Sequence, residues 1–340
     1  MSSTSNTPLR EYGAALQAKL RRNMEGKEGI LYQVLAYQMG WADESGSPTT
    51  APPAGQHLAS LPLAVCSSLT GTFEQALPSA ACMALVDGFI QIHEDVQAGS
   101  PQRDGRPSVW WLWGPGQAIN AGDGMHALAR LSLMDLADQG LSVESTIDGL
   151  RLLDQSCLEL CEGQHLDLSL QDRANISTDL YLKMASSKTG AIVSCGAALG
   201  AVAADADAAT INGFREFGRS LGVAVHIIQD IEMLWPKNGN GEPSDRLLGK
   251  KKLFPVVHIV GNGDAASSRE LDNIYRKRVL EPDDIARVLA ILDSVDARSQ
   301  SLEVAAGHYS QAESCLASLT MLGDPQSLRD VAHHITLEAI

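Results

Sequence analysis

Ile92-His93-Glu94-Asp95-Val96-Gln97-Ala98 closes an apolar run that begins near Ala80. After four intervening residues the chain reads Arg103-Asp104-Gly105-Arg106-Pro107-Ser108. A second acidic stretch, Gln229-Asp230-Ile231-Glu232-Met233, ends another long apolar run that begins near Ala208. Apolar residues recur at three- and four-residue spacing through both runs, which predicts helices with acids at their C-terminal ends.

Outward from these two stretches the helical pattern persists. It covers residues 10–41, 58–69, 80–96, 118–136, 145–161, 178–204, 208–234, 254–260, 282–296 and 299–317. The runs at 178–204 and 208–234 are nearly apolar all round, as suits the centre of a bundle. Strand signals are scarce: Trp110-Trp111-Leu112-Trp113, between Pro107 and Gly114, is too short to establish one. Ser45 to Gly55 (SGSPTTAPPAG) reads as a mobile loop, and Pro52-Pro53 cannot continue a helix. The expected architecture is all-α, a single bundle of ten or more helices. Residues 1–30 form an N-terminal helix and tail, and 31–340 form the main domain.

The net charge of −15 argues against nucleic acid or an anionic membrane as partner. It does not exclude an anionic small substrate, because a divalent ion inverts the local field. The six cysteines lie far apart with no C-x-x-C, which fits buried free thiols in a reducing cytoplasm. The start, MSSTSNTPLREY, has no basic-then-apolar leader, and no apolar run reads as a membrane span. A cytoplasmic protein is the expectation.

From about Leu31 to its end the chain resembles the trans-isoprenyl diphosphate synthase (polyprenyl synthetase) family. The first quoted segment keeps the spacing of that family's histidine, DDxxD and RRGxPT. Ala118-Ile119-Asn120-Ala121-Gly122-Asp123 matches its AIxxGD, and Gly163-Gln164-His165-Leu166-Asp167 its GQxxD. Tyr181, Met184 and Lys188-Thr189 match YxxMxxxKT. Gly218 to Asp230 resembles GxxLGxAFQxxDD. Asp245, Gly249-Lys250 and Pro255 resemble DxxxGKxxxP with one extra residue, so either Lys250 or Lys251 is the matching lysine.

The resemblance implies the isoprenoid synthase bundle, with the two acidic patches facing each other across a central cavity. It also implies magnesium ions clamped between carboxylates and a diphosphate, and a homodimer. The metal candidates are Glu94, Asp95, Asp230 and Glu232. Three of the family's outer ligand positions are lost, to Ala98, Gln229 and Met233, and a glutamine offers only a neutral oxygen. Arg103, Lys188 and one of Lys250 and Lys251 would hold the diphosphate. Phe89 would set the cavity floor, and His226, where the family has glutamine, would face the cavity. Trp110, Trp111 and Trp113 read as packing groups before cation-stabilising ones.

The second-substrate site of chain-elongating members, GKRxRP, corresponds to Gly55-Gln56-His57-Leu58-Ala59-Ser60, and the arginine pair is halved to Arg103-Asp104. A diphosphate needs several cations or N–H donors, and here most are missing. The resemblance therefore points to an enzyme acting on an allylic prenyl diphosphate without isopentenyl diphosphate, as a terpene synthase or atypical prenyltransferase. The alternative is a non-catalytic member that serves as partner subunit of an active synthase.

Overall fold

Helix-forming Ala, Leu, Gln and Glu fill the periodic segments, and glycines and prolines punctuate them. The computed structural model describes residues 7–49, 57–171, 173, 176–236, 247 and 249–337. Gly55, Gln56, the His57 side chain, Pro52-Pro53 and Asp245 lie outside the described residues. The chain is all-α: among the described residues there are fifteen α-helices and one two-stranded hairpin. It divides into two compact units, one of Met1–Leu153, Gly196–Ile211 and Thr320–Ala332, the other of Asp154–Cys195, Asn212–Leu319 and His333–Ile340.

In the first unit, the 10–41 pattern folds as two helices, α1 (Thr7–Met24) and α2 (Ile30–Gln38). Gly26 and Gly29 between them hold left-handed φ values of 70° and 110°, which end one helix and start the next. Helices α3 (His57–Thr70), α4 (Leu77–Ala98), α5 (Val109–Trp113) and α6 (Pro115–Met134) follow. Helix α4 packs chiefly on α6 and α3 and buries a continuous series from Pro78 to Val86. The segment Glu74–Ala98 is the one described stretch long and apolar enough to cross a membrane. Two thirds of its apolar window (67%) is buried, so it serves as the core helix of its unit.

Gly99 stops α4 at φ 63°, and the chain turns into a hairpin of β1 (Gln102–Arg103) and β2 (Arg106–Pro107). Its loop is Asp104-Gly105, both at positive φ (52° and 74°), a pairing that two-residue hairpins favour. The tryptophan stretch is the short helix α5, not a strand. Trp110 Nε1 donates to the Ser100 carbonyl (2.7 Å), Trp113 packs edge-on against Tyr37, and Trp111 is exposed. Of the Pro-rich loop, the described part is tied down: Asp43 accepts from the backbone of Ser45 and Ser47, and Thr49 N donates to the Trp41 carbonyl.

The second unit takes its share of α7 (Val143–Gln171), which runs ten residues past the Cys161 end read from sequence. The unbroken run expected over 178–204 is interrupted. Helix α8 (Thr178–Ala185) passes through a π-helical turn, Ser186–Gly190, into α9 (Ala191–Ala203). Helices α10 (Ala208–Leu234), α11 (Phe254–Asn262), α12 (Ala265–Tyr275), α13 (Pro282–Ser294) and α14 (Ala297–Ala317) complete it, and α15 (Pro325–Leu337) ends the fold. Glycines set the close approaches: a Cβ on Gly222 would meet the Thr189 carbonyl at 2.7 Å, and one on Gly163 the Lys188 amide at 2.9 Å.

Candidate active site

The first acidic patch is built by the hairpin. A tight Asp-Gly turn folds Arg103 back onto the end of α4, where its Nη2 and Nε reach Asp95 at 2.8 and 3.0 Å. Asp95 is 3% exposed, so this two-pronged pair is shielded from water. Glu94 lies 3.7 Å from the same guanidinium, beyond hydrogen-bond length. Burial alone would lower the affinity of Arg103 for its proton, but Asp95 and Glu94 outweigh it and hold the guanidinium firmly charged. Asp104, expected to repel a diphosphate, has a local reason to be there: it occupies a left-handed turn position that aspartate tolerates.

Phe89 is half-buried and stands edge-on to His93, with ring centroids 4.8 Å apart, and 5.3 Å from His126. His93 itself is structural: its ring covers Gly122, and its Nε2 donates to the Ile119 carbonyl (3.2 Å). Ala59, where elongating members carry the second arginine of their diphosphate cluster, is fully buried in α3.

The second cluster lies within the second unit and is organised by the π-helical turn. The extra residue in that turn re-aims Lys188 and Thr189. Lys188 Nζ meets Asp167 Oδ2 at 2.7 Å, with both side chains 5% exposed, and Thr189 Oγ1 pairs with His226 Nδ1 at 2.7 Å. Arg219 supports the turn, donating to the Ser186 carbonyl while gripping Glu159 at 2.6 and 2.9 Å. Asp230 is 1% exposed: its Oδ2 accepts from the Tyr181 hydroxyl and from the Phe254 amide (2.8 Å). One buried oxygen of each acid, Asp167 Oδ1 and Asp230 Oδ1, has no hydrogen-bond partner among the described residues.

Burial pushes the Asp230 carboxyl above its ordinary value, and Asp167 adds to that. Lys251, Tyr181 and the Phe254 amide oppose it. Burial also pushes Asp167 up, but Lys188 and Lys251 win and hold it below the usual carboxylate range. Burial first, then Asp230, keeps the Tyr181 hydroxyl well above its usual value.

Lys251 is buried and acts on both acids, whereas Lys250 is half-buried at φ 60° and donates to the Lys277 carbonyl (2.8 Å). The structure thus separates the two lysines that the sequence left equivalent. Gln229 is exposed, and Glu232 and Met233 are half-buried. Asp167 and Tyr181, met in the sequence only as motif positions, form the centre of this cluster.

A family model described as polyprenyl synthetase matches residues 53–292. The chain belongs to the polyprenyl synthetase family. It is 35% identical over 277 residues to a geranylgeranyl diphosphate synthase of Mycobacterium tuberculosis, covering 80% of this chain and 77% of that protein. It is 29% identical over 324 residues to a (2E,6E)-farnesyl diphosphate synthase of the same species, covering 93% and 88%. A crystal structure of a polyprenyl synthetase from Streptomyces coelicolor A3(2) superposes with a TM-score of 0.86 at 27% identity, covering 98% of this chain and 99% of that one.

For a polyprenyl synthetase the metal donors are thin. Among the described residues no three His, Cys, Asp or Glu side chains gather into a group able to hold a metal ion. Ala98 and Met233 carry no donor, both oxygens of Asp95 are taken by Arg103, and Asp230 binds a hydroxyl and an amide. The several-ion set that the resemblance implies does not fit these residues. What they do supply is cations for an anion's oxygens: Arg103 in one unit, Lys188 and Lys251 in the other.

Proposed function

We propose that this polyprenyl synthetase acts on an allylic prenyl diphosphate without isopentenyl diphosphate as co-substrate, as a terpene synthase or an atypical prenyltransferase. The observation that carries the reading is the unequal survival of its cations. Those for an allylic diphosphate remain in Arg103, Lys188 and Lys251. Those for a second diphosphate have become Gln56, His57 and Ala59, with Asp104 beside Arg103. The buried Ala59 supports it, because no charged group reaches solvent from that position.

In this reading the paired lysines of the second unit, Lys188 and Lys251, neutralise the leaving diphosphate. Magnesium accompanies the diphosphate as its counter-ion. The chain works as a homodimer. Exposed Leu131 and Met134 on α6, 56% and 51% accessible, support that assembly.

A second reading, a non-catalytic partner subunit of an active synthase, is favoured by one observation: Asp95 and Asp167 are each already held in an ion pair inside their own unit. One experiment separates the two. Purified protein is incubated with geranyl, farnesyl and geranylgeranyl diphosphates plus magnesium, with and without isopentenyl diphosphate. Pyrophosphate release without isopentenyl diphosphate is expected. Longer diphosphates as product would overturn the first reading. Inactivity in every mixture, with tight binding to an active synthase, would establish the second.

A further inference from the structure

An acid that no motif accounts for stands on α4 between the buried Val86 and Gly88. Asp87 lies seven residues before Glu94, which places the two carboxyls on one helix face about 10 Å apart along the axis. Its Oδ2 accepts from Gln91 Nε2 (2.8 Å), and Gln91 Oε1 in turn accepts from Gln38 Nε2 of α2 (3.1 Å). Arg103, the residue that grips Asp95, also donates to the Gln91 carbonyl (3.4 Å), so this polar string is attached directly to the first patch. Part of the Asp87 surface is open to solvent. Burying an acid for a single amide bond is unfavourable, and Gln91 occupies only one of the acceptor positions that a carboxyl offers.

Burial pushes the Asp87 carboxyl up to about 7. Arg103 on β1 opposes that rise, Glu94 on α4 and Asp104 in the hairpin loop add to it, and the Gln91 bond opposes it. From α2 the facing group is the neutral Gln38. From α6, His126 stands beside Phe89, two residues along α4. Asp87 therefore changes charge near neutrality, where a proton acceptor works best.

We propose that Asp87 is the proton acceptor of the reaction given under Proposed function, on which this inference rests. The C1–O bond of the allylic diphosphate breaks, and both electrons leave with the pyrophosphate. The resulting cation then loses a proton from an adjacent carbon, whose C–H electrons become a C=C bond. In the prenyltransfer version it is an acceptor's O–H or N–H proton that is lost as the new bond forms. Either way the proton passes to the Asp87 carboxylate, which becomes a neutral acid and later returns the proton to solvent. The position is suited to this: Asp87 lies away from the diphosphate-binding end of the helix, where a migrating cation or a bound acceptor would be found.

The test compares wild type, Asp87→Asn and Asp87→Glu with farnesyl and geranylgeranyl diphosphates. Wild-type formation of alkene or prenylated product should rise about tenfold between pH 6 and 8. Asp87→Asn should lose that rise and shift product at least tenfold toward the water-quenched alcohol, and Asp87→Glu should restore part of both. A product ratio and pH profile unchanged in Asp87→Asn would overturn the proposal. A carboxyl ¹³C titration of aspartate-labelled protein reports independently of turnover. A midpoint near 7 that disappears in Asp87→Asn is expected, and one near 4 would overturn this inference while leaving the proposed function standing. Absence of pyrophosphate release by the wild type would overturn both.

Discussion

Asp230 shows how a residue's chemistry and its position can point in different directions. Sequence spacing offers it as a metal ligand, and the structure gives it two donors that need an acceptor, the Tyr181 hydroxyl and the Phe254 amide. Both reach Oδ2, so an asparagine oxygen can serve both. Asp230→Asn should leave stability within about 1 kcal/mol, whereas Asp230→Ala strands two buried donors and should cost about 2–4 kcal/mol in urea unfolding. If Asp230→Asn folds as well as wild type and loses all turnover, the carboxylate itself has a chemical role. The Asp167–Lys188 pair makes a sharper demand. Lys188→Met leaves a buried carboxylate without its partner and should cost about 3–5 kcal/mol at neutral pH. The Asp167 carboxyl is held below its unfolded value of 3.8, so the pair's stabilisation is complete above that value and lost as pH falls through the lower, folded one. Wild-type stability should therefore drop in acid more steeply than that of Lys188→Met, as followed by thermal unfolding from pH 3 to 7. Lys250 was legible as a candidate from its motif, and only its contact with the Lys277 carbonyl shows where its charge goes.

At the scale of elements, the sequence located the long helices, but not α5, α12 or α15, and missed what bends them. The run over 178–204 has no glycine or proline before Gly190, so periodicity alone predicts a continuous helix there. At the π-helical turn Gly163 and Gly222 let two neighbouring helices approach residues 187–190 closely, and the extra residue in the turn directs Lys188 and Thr189 to their partners. Gly222→Ala would place a methyl at 2.7 Å from the Thr189 carbonyl and Gly190 Cα. It should destabilise by about 1–3 kcal/mol through overpacking. If the turn organises the cluster, the same variant should weaken binding of inorganic pyrophosphate, read by calorimetry. The Asp104-Gly105 hairpin is the opposite case: its turn chemistry was written in the sequence, yet read there as a lost arginine.

For the molecule as a whole, the assembly prediction concerns the exposed apolar residues of α6. Wild type should run as a dimer in light scattering coupled to size exclusion, and Leu131→Glu with Met134→Glu should run as a folded monomer. The all-α architecture and the family were settled by sequence, because helical periodicity and motif order are properties of the chain read in one dimension. So were the losses at Ala98, Gln229 and Gln56, since a missing donor needs no coordinates to be seen. What only the tertiary structure decided is which charges meet. It chose Lys251 over Lys250, gave Arg103 to Asp95 and Lys188 to Asp167, and brought Asp87 into the field of Arg103 and Glu94. Charge pairing depends on distance and burial, and both are fixed only once turns and helices have packed in three dimensions.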